Sequence, residues 1–172
     1  MMKSIMLDIE TLGTTANSII LSIAAVKFEF GNDETEVYSV NIDPKSAKKY
    51  GMISNPSTIQ WWKDQRPDAL KAFMSNQISI ESALDGFTDF VGPQWKDTIF
   101  FVNGASFDYP ILQWSYDATG RTAPWKYWNQ RDARTLYAIC GIDMRSYPRV
   151  GTYHNAVDDC LTQIKALKEC LA

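Results

Sequence analysis

Cysteine is scarce in this chain: there are three, Cys140, Cys160 and Cys170. Their number is odd and their spacing fits no zinc or redox pattern. Their apolar neighbours make them small buried hydrophobes of a reducing compartment. No apolar run reaches membrane-spanning length. The opening "MMKSIMLDIE" has neither a long apolar segment nor a cleavage-type site. The expectation is a cytoplasmic protein with no membrane partner. Positive charge is not in excess either: 17 Lys and Arg face 20 Asp and Glu, for a net charge of −3. That excludes a basic footprint for wrapping long duplex DNA. It leaves room for a partner gripped by a few phosphates, or for metal ions that offset an acid cluster. Repeats, low-complexity tracts and linkers are also missing, so residues 1–172 read as a single domain. Aromatics, at 13% with six Trp, are abundant, and this composition excludes disorder.

The patterning predicts strands over 4–10, 19–30 and 36–42, separated by the turns "TLGTTANS" and "GNDE". That start is an antiparallel meander. Helices are predicted over 54–65 and 66–76, each with proline near its start, and over 79–92, where Ile80, Ala83, Leu84, Phe87 and Phe90/Val91 recur at helical spacing. "TIFFVNG" (98–104) reads as a buried strand, and 106–118 as a helix with Ser106 as a candidate cap. Residues 127–141 read as a short strand and then a helix ending at Gly141. After a loop over 142–153 comes a closing helix, with Val157, Cys160/Leu161, Ile164, Leu167/Lys168 and Leu171 on one face. Strands first, then helices between strands, imply an α/β domain with a mixed sheet. Sites in such folds gather at strand carboxyl ends and adjacent helix starts.

Asp8 and Glu10 are two residues apart on a predicted strand, so they leave the same face. Two carboxylates about 4 Å apart repel by roughly 4 kcal/mol at an effective dielectric near 20. Either the face is solvated, or something positive compensates. The "TLGTT" turn beside them offers backbone N–H groups and hydroxyls for a phosphate or sugar. Asp108 follows the strand 98–104 and begins a helix; taken alone, it reads as an aspartate favoured by the helix dipole. His154, the one histidine, is either a packed helix-start residue or a general base near pH 7. Asp158 and Asp159 follow it, and spacing alone does not choose between them. Asp8, Glu10, Asp108 and one of these two make an oxygen-ligand set for hard cations such as Mg²⁺ and Mn²⁺. Four carboxylates and two divalent ions cancel in charge.

Three stretches carry a resemblance. "LDIETLG" resembles the first motif of the DnaQ-like exonucleases, "NGASFDYPIL" the second, with Asp108 as its acid, and "HNAVDD" the third motif of the histidine-bearing (DEDDh) branch. They occur in the family's order and span nearly the whole chain. "NPSTIQWWKDQ" and "RDARTLY" resemble a subgroup that includes phage exodeoxyribonuclease A and small bacterial exoribonucleases. The resemblance implies a ribonuclease H-like fold, a mixed central sheet flanked by helices. It implies 3′→5′ hydrolysis of single-stranded nucleic acid to nucleoside monophosphates, with DNA slightly favoured over RNA. By the same resemblance, Asp8, Glu10, Asp108 and Asp159 hold two divalent cations, Mg²⁺ or Mn²⁺. His154 takes the proton from the attacking water. Glu10 and the backbone near Thr11 and Leu12 meet the terminal 3′-OH. Asp158 becomes a solvated neighbour. Many relatives are dimers, so a homodimer is one expected assembly, and a phage-encoded protein acting in the host cytoplasm is one expected setting.

Asn103, Phe107 and Tyr109, beside the second motif, are candidates to line the terminal nucleotide, with Phe107 equally a core candidate. Of Trp61 and Trp62 at least one is expected in the core; Trp62 is carried as the stacking candidate. Arg131, Asp132 and Arg134 read as a structural ion pair, and Lys45, Lys48 and Lys49 as a solvated basic face. Three rival readings stand beside the exonuclease. One is a catalytically silent nucleic-acid-binding module of a replication or repair assembly. Another is a phosphodiesterase for very short oligonucleotides. The most distant is a glycosidase with a carboxylate pair.

Overall fold

Six strands form one mixed sheet in the order β4-β3-β2-β1-β5-β6. The computed structural model describes residues 3–65, 67–93, 95–151 and 155–171. The meander is β1 (Ser4–Thr11), β2 (Ile20–Phe28) and β3 (Glu36–Ile42), with both pairings antiparallel. Short helices α1 (Pro44–Lys48), α2 (Pro56–Gln65) and α3 (Pro67–Phe73) follow. Then come the two-residue strand β4 (Gln77–Ile78), the helix α4 (Ile80–Val91) and β5 (Ile99–Val102). The chain closes with α5 (Asp108–Ala118), β6 (Gln130–Asp132), α6 (Ala133–Ile139) and α7 (Ala156–Cys170). β1, β5 and β6 run parallel, so their carboxyl ends share one edge.

Alternation along the strands splits the apolar residues between two faces. Ile5, Leu7 and Ile9 enter the core covered by α4 and α5, where Leu84, Phe87, Ile111 and Leu112 are buried. Met6, Ala24, Val26 and Phe101 enter the other core, covered by α6 and α7 with Tyr137, Cys160, Ile164 and Leu167. β2 is buried along almost its whole length, so it reads as a continuous apolar run rather than an alternation.

Four expectations need correction. Only Cys160 is a buried free thiol. Cys140 and Cys170 form a disulfide with a Cα–Cα distance of 5.6 Å, and Cys140 is exposed. The ends of α6 and α7 lie side by side, a relation that local apolar patterning does not encode. Ser106 does not cap α5; the cap position is Phe107, and no side chain caps it. The inward face of α7 is the expected one at Cys160, Ile164 and Leu167 but is wider: Ala156, Thr162 and Gln163 are buried as well, whereas Leu171 is 53% exposed. Gln163 enters because it has polar partners there. Arg131 and Arg134 hold carbonyl oxygens rather than the Asp132 carboxylate, which caps α6. No helix among the described residues is long and apolar enough to cross a membrane.

Candidate active site

β1 delivers its acids by simple continuation. Met6 points into the α7-side core, and Asp8 and Glu10 follow on the same face as the strand nears its carboxyl end. There they meet the first turn of α7. Asn155 caps that helix by accepting the N–H groups of Val157 and Asp158, which fixes where the turn begins. Asp159 lies in that turn. Ligand oxygens of Asp8, Glu10 and Asp159 lie within 4.8 Å of one another. Asp158 is turned away: its carboxylate packs where a Cβ on Gly151 would stand. Gly151 has φ +65°, so both conformation and space favour glycine.

Asp108 comes from the parallel neighbour. β5 pairs with β1 only as far as Met6, which leaves the β1 backbone beyond it open on that side. The Ile9 N–H donates to Asp108 Oδ1 at 3.3 Å, tying the first residue of α5 to β1. Asp108 is 5% exposed. The Gln163 side-chain amide donates to Asp8 Oδ1, also at 3.3 Å. Gln163 escaped the sequence reading because a glutamine on a helix face carries no motif. Arg149, which contacts the Asp159 carboxylate, escaped it for the same reason in a loop.

These acids are electrostatically loaded. Burial pushes Glu10 up to about 8, with the Asp108 charge adding to the effect. Burial pushes Asp108 up to about 7, against the opposing pull of the Ile9 N–H. Asp8 rises well above the usual carboxylate range through burial, Asp108 and Glu10; the Gln163 hydrogen bond and Arg149 pull it back. The donor set is all carboxylate oxygen, which suits Mg²⁺ or Mn²⁺. Two buried side-chain oxygens border it without a hydrogen-bond partner among the described residues: Gln163 Oε1, and Ser22 Oγ, opposite Glu10 on β2. Excess negative charge, oxygen donors and spare polar atoms make this a cluster that a hard cation fits.

A cleft of about 430 Å³ opens beside Glu10. Thr11, Thr14, Ser57, Trp61 and Phe107 are among its walls. Trp62 also borders it, yet is 2% exposed, and its indole N–H donates to the Thr11 carbonyl at 2.9 Å. Trp61, 42% exposed, is the ring open to a ligand. Leu12 is half-buried; its N–H donates to the Ile19 carbonyl and its carbonyl accepts from Asn55. Asn103 is half-buried, its carbonyl held by Arg134 at 2.9 Å and its Oδ1 without a partner among the described residues, whereas Tyr109 is a core residue, 4% exposed, whose hydroxyl donates to the Phe100 carbonyl at 2.7 Å. His154 lies outside the described residues. A larger cleft of about 650 Å³, walled by Lys3, Lys27, Glu29, Glu36 and Asp89, opens among residues outside the three motifs.

The family model described as the 3'-5' exoribonuclease Rv2179c-like domain matches residues 3–171. The exodeoxyribonuclease of Enterobacteria phage T4 is 28% identical over 207 aligned positions, covering 99% of this chain and 89% of the relative. Among solved structures, the nuclease domain of 3'hExo, a DEDDh family member bound to rAMP, matches with a TM-score of 0.59 at 11% identity. That match covers 99% of this chain and 92% of the other. The likeness gives the ribonuclease H-like fold expected from the motifs.

Proposed function

The chain belongs to the family of the 3'-5' exoribonuclease Rv2179c-like domain and is a DnaQ-like 3′–5′ exonuclease, and from that premise we propose how it works and on what. The proposed reaction is hydrolysis of the terminal phosphodiester at the 3′ end of single-stranded nucleic acid, releasing nucleoside monophosphates. The observation that carries it is the meeting of Asp8, Glu10 and Asp159 oxygens within 4.8 Å, with Asp108 bonded to the same strand.

In this reading Asp8, Glu10, Asp108 and Asp159 would hold two divalent cations, which would supply an acidified water and charge neutralisation at the leaving oxygen. His154 takes the proton from the attacking water. Glu10, with the backbone at Thr11 and Leu12, orients the terminal 3′-OH. Asn103, Phe107 and Trp62 border the terminal nucleotide, with Trp62 as the fixed wall and Trp61 as the exposed stacking ring. Residues 1–172 act as one exonuclease domain, in the cytoplasm, and the phage T4 relative supports a phage-encoded chain acting in its host. Assembly as a homodimer rests on the family resemblance alone.

DNA is the proposed preferred substrate, supported by the T4 relative's name. RNA is the second reading. The family description names an exoribonuclease, and 3'hExo was solved with rAMP. The test uses 5′-labelled DNA and RNA of one sequence with Mg²⁺, Mn²⁺ or chelator, and Asp8→Ala as control. A ladder that shortens from the 3′ end, and vanishes with chelator and in the variant, is expected. The faster ladder names the sugar. Intact strands under every metal would overturn the mechanism and bring the silent binding module forward. Cleavage of dinucleotides alone would favour the short-oligonucleotide phosphodiesterase.

A further inference from the structure

Arg149 brings a fixed cation into an acid cluster that the motifs describe as purely negative. Its guanidinium contacts the Asp159 carboxylate, and its side chain is only 19% exposed. Its charge also acts on Asp8. The backbone holds it there. The Val150 N–H donates to the Thr162 hydroxyl at 3.0 Å, and that hydroxyl donates in turn to the Asp158 carbonyl at 2.8 Å. The residue after Arg149 is therefore pinned to the second turn of α7, one turn beyond Asp159. The contact is made at Asp159 Oδ1, and a guanidinium binds a carboxylate through its oxygen lone pairs, as a metal ion does, so the two compete at that oxygen.

We propose that Arg149 is the resident counter-cation of this site: it occupies Asp159 in the metal-free protein and yields it when a divalent ion binds. The inference rests on the metal-site reading above. Arg149 relieves the mutual repulsion of the acids when no metal is bound. Because a guanidinium and a divalent cation repel each other at one carboxylate, its departure sets part of the cost of metal entry. Arg149 is a positioning residue here, acting through Asp159 rather than on substrate.

The test measures Mn²⁺ binding by electron paramagnetic resonance, without nucleic acid, for the wild type, Arg149→Met and Arg149→Lys. Methionine keeps the packing and removes the charge. Arg149→Met is expected to bind Mn²⁺ about five- to tenfold more tightly, the size of an ordinary coupling between two sites. Arg149→Lys should fall between it and the wild type. The melting temperature of Arg149→Met should drop without metal and recover to the wild-type value with saturating Mn²⁺. Equal or weaker Mn²⁺ binding by Arg149→Met would overturn the proposal, as would a stability loss that metal does not restore. If Arg149→Met does not fold, the wild type still decides: the Arg149 side-chain N–H resonance must move on Mg²⁺ titration, and a stationary signal rejects the idea. Wild-type protein that binds no Mn²⁺ would instead sink the metal-site reading, and this inference with it.

Discussion

Glu10, Asp108 and Asp8 each titrate above an ordinary carboxyl because burial penalises their charged forms, and repulsion from the neighbouring acids adds to this at Glu10 and Asp8. An unfolded carboxyl titrates near ~4. From there to at least about 8, where Glu10 titrates, the folded metal-free protein binds more protons than the unfolded chain. Stability therefore falls as pH rises through that window. Bound cations replace the protons and remove the slope. Chelated protein should melt higher at the acid end of this window than at its alkaline end, and saturating Mg²⁺ should flatten the difference. A melting temperature that rises with pH in chelator would contradict this account. The tryptophan pair gives a second contrast. Trp61→Ala should raise KM about fivefold or more with little change in stability, as expected for loss of one stacking contact. Trp62→Ala should cost about 3–5 kcal/mol of stability as a core truncation. Steady-state kinetics and denaturant titration on the two variants separate these outcomes; equal effects would mean that the rings share one role.

Asp8 and Glu10 were legible by their chemistry, as two carboxylates on an apolar strand, whereas Asp108 alone reads as an ordinary helix-start aspartate and Asp159 is chosen over Asp158 only through the motif resemblance. Most of the element order followed as well, because turn residues punctuate the meander and helical spacing marks α4, but the five-residue α1 and the two-residue β4 are too short to leave a pattern. Side-chain partners were less legible. Whether Trp61 or Trp62 faces the cleft depends on the phase of α2 against β1, and the phase is set by the Thr11 carbonyl that receives the indole. Gln163 and Arg149 belong to the site only through contacts with residues far along the chain. The disulfide is the same kind of fact, joining the ends of two helices across a sequence separation of 30. On the chain-entropy model a closed loop of that size is worth about 3–4 kcal/mol. Denaturation in the presence of dithiothreitol, or of Cys140→Ser, should show a loss of that order. An unchanged midpoint would mean that the bond contributes nothing net.

A net charge of −3 governs how the protein meets a polyanion. With the short run of Lys45, Lys48 and Lys49 as its basic face, the protein has little to hold a long strand, and on the proposed reading affinity comes from the few groups around the terminal nucleotides. About three phosphate contacts on a single strand would give a log–log salt slope near −2. Digestion should be distributive: with substrate in excess, strands shorten by one or a few nucleotides before any is consumed. Long runs that persist in high salt, or in the presence of a competitor strand, would require a gripping surface that this charge balance does not supply.

The buried Trp62 indole, bonded to the Thr11 carbonyl, ties the cleft wall to the strand that carries Asp8 and Glu10. The wall is therefore indexed to the acids like a tool holder to its spindle. The neighbouring ring of Trp61 and the hydroxyl of Ser57 sit on the outer side of that joint. On the proposed reading, substitutions at these two positions would change which substrates are taken and leave the acids where they stand, because selection and cutting then lie on opposite sides of a single hydrogen bond.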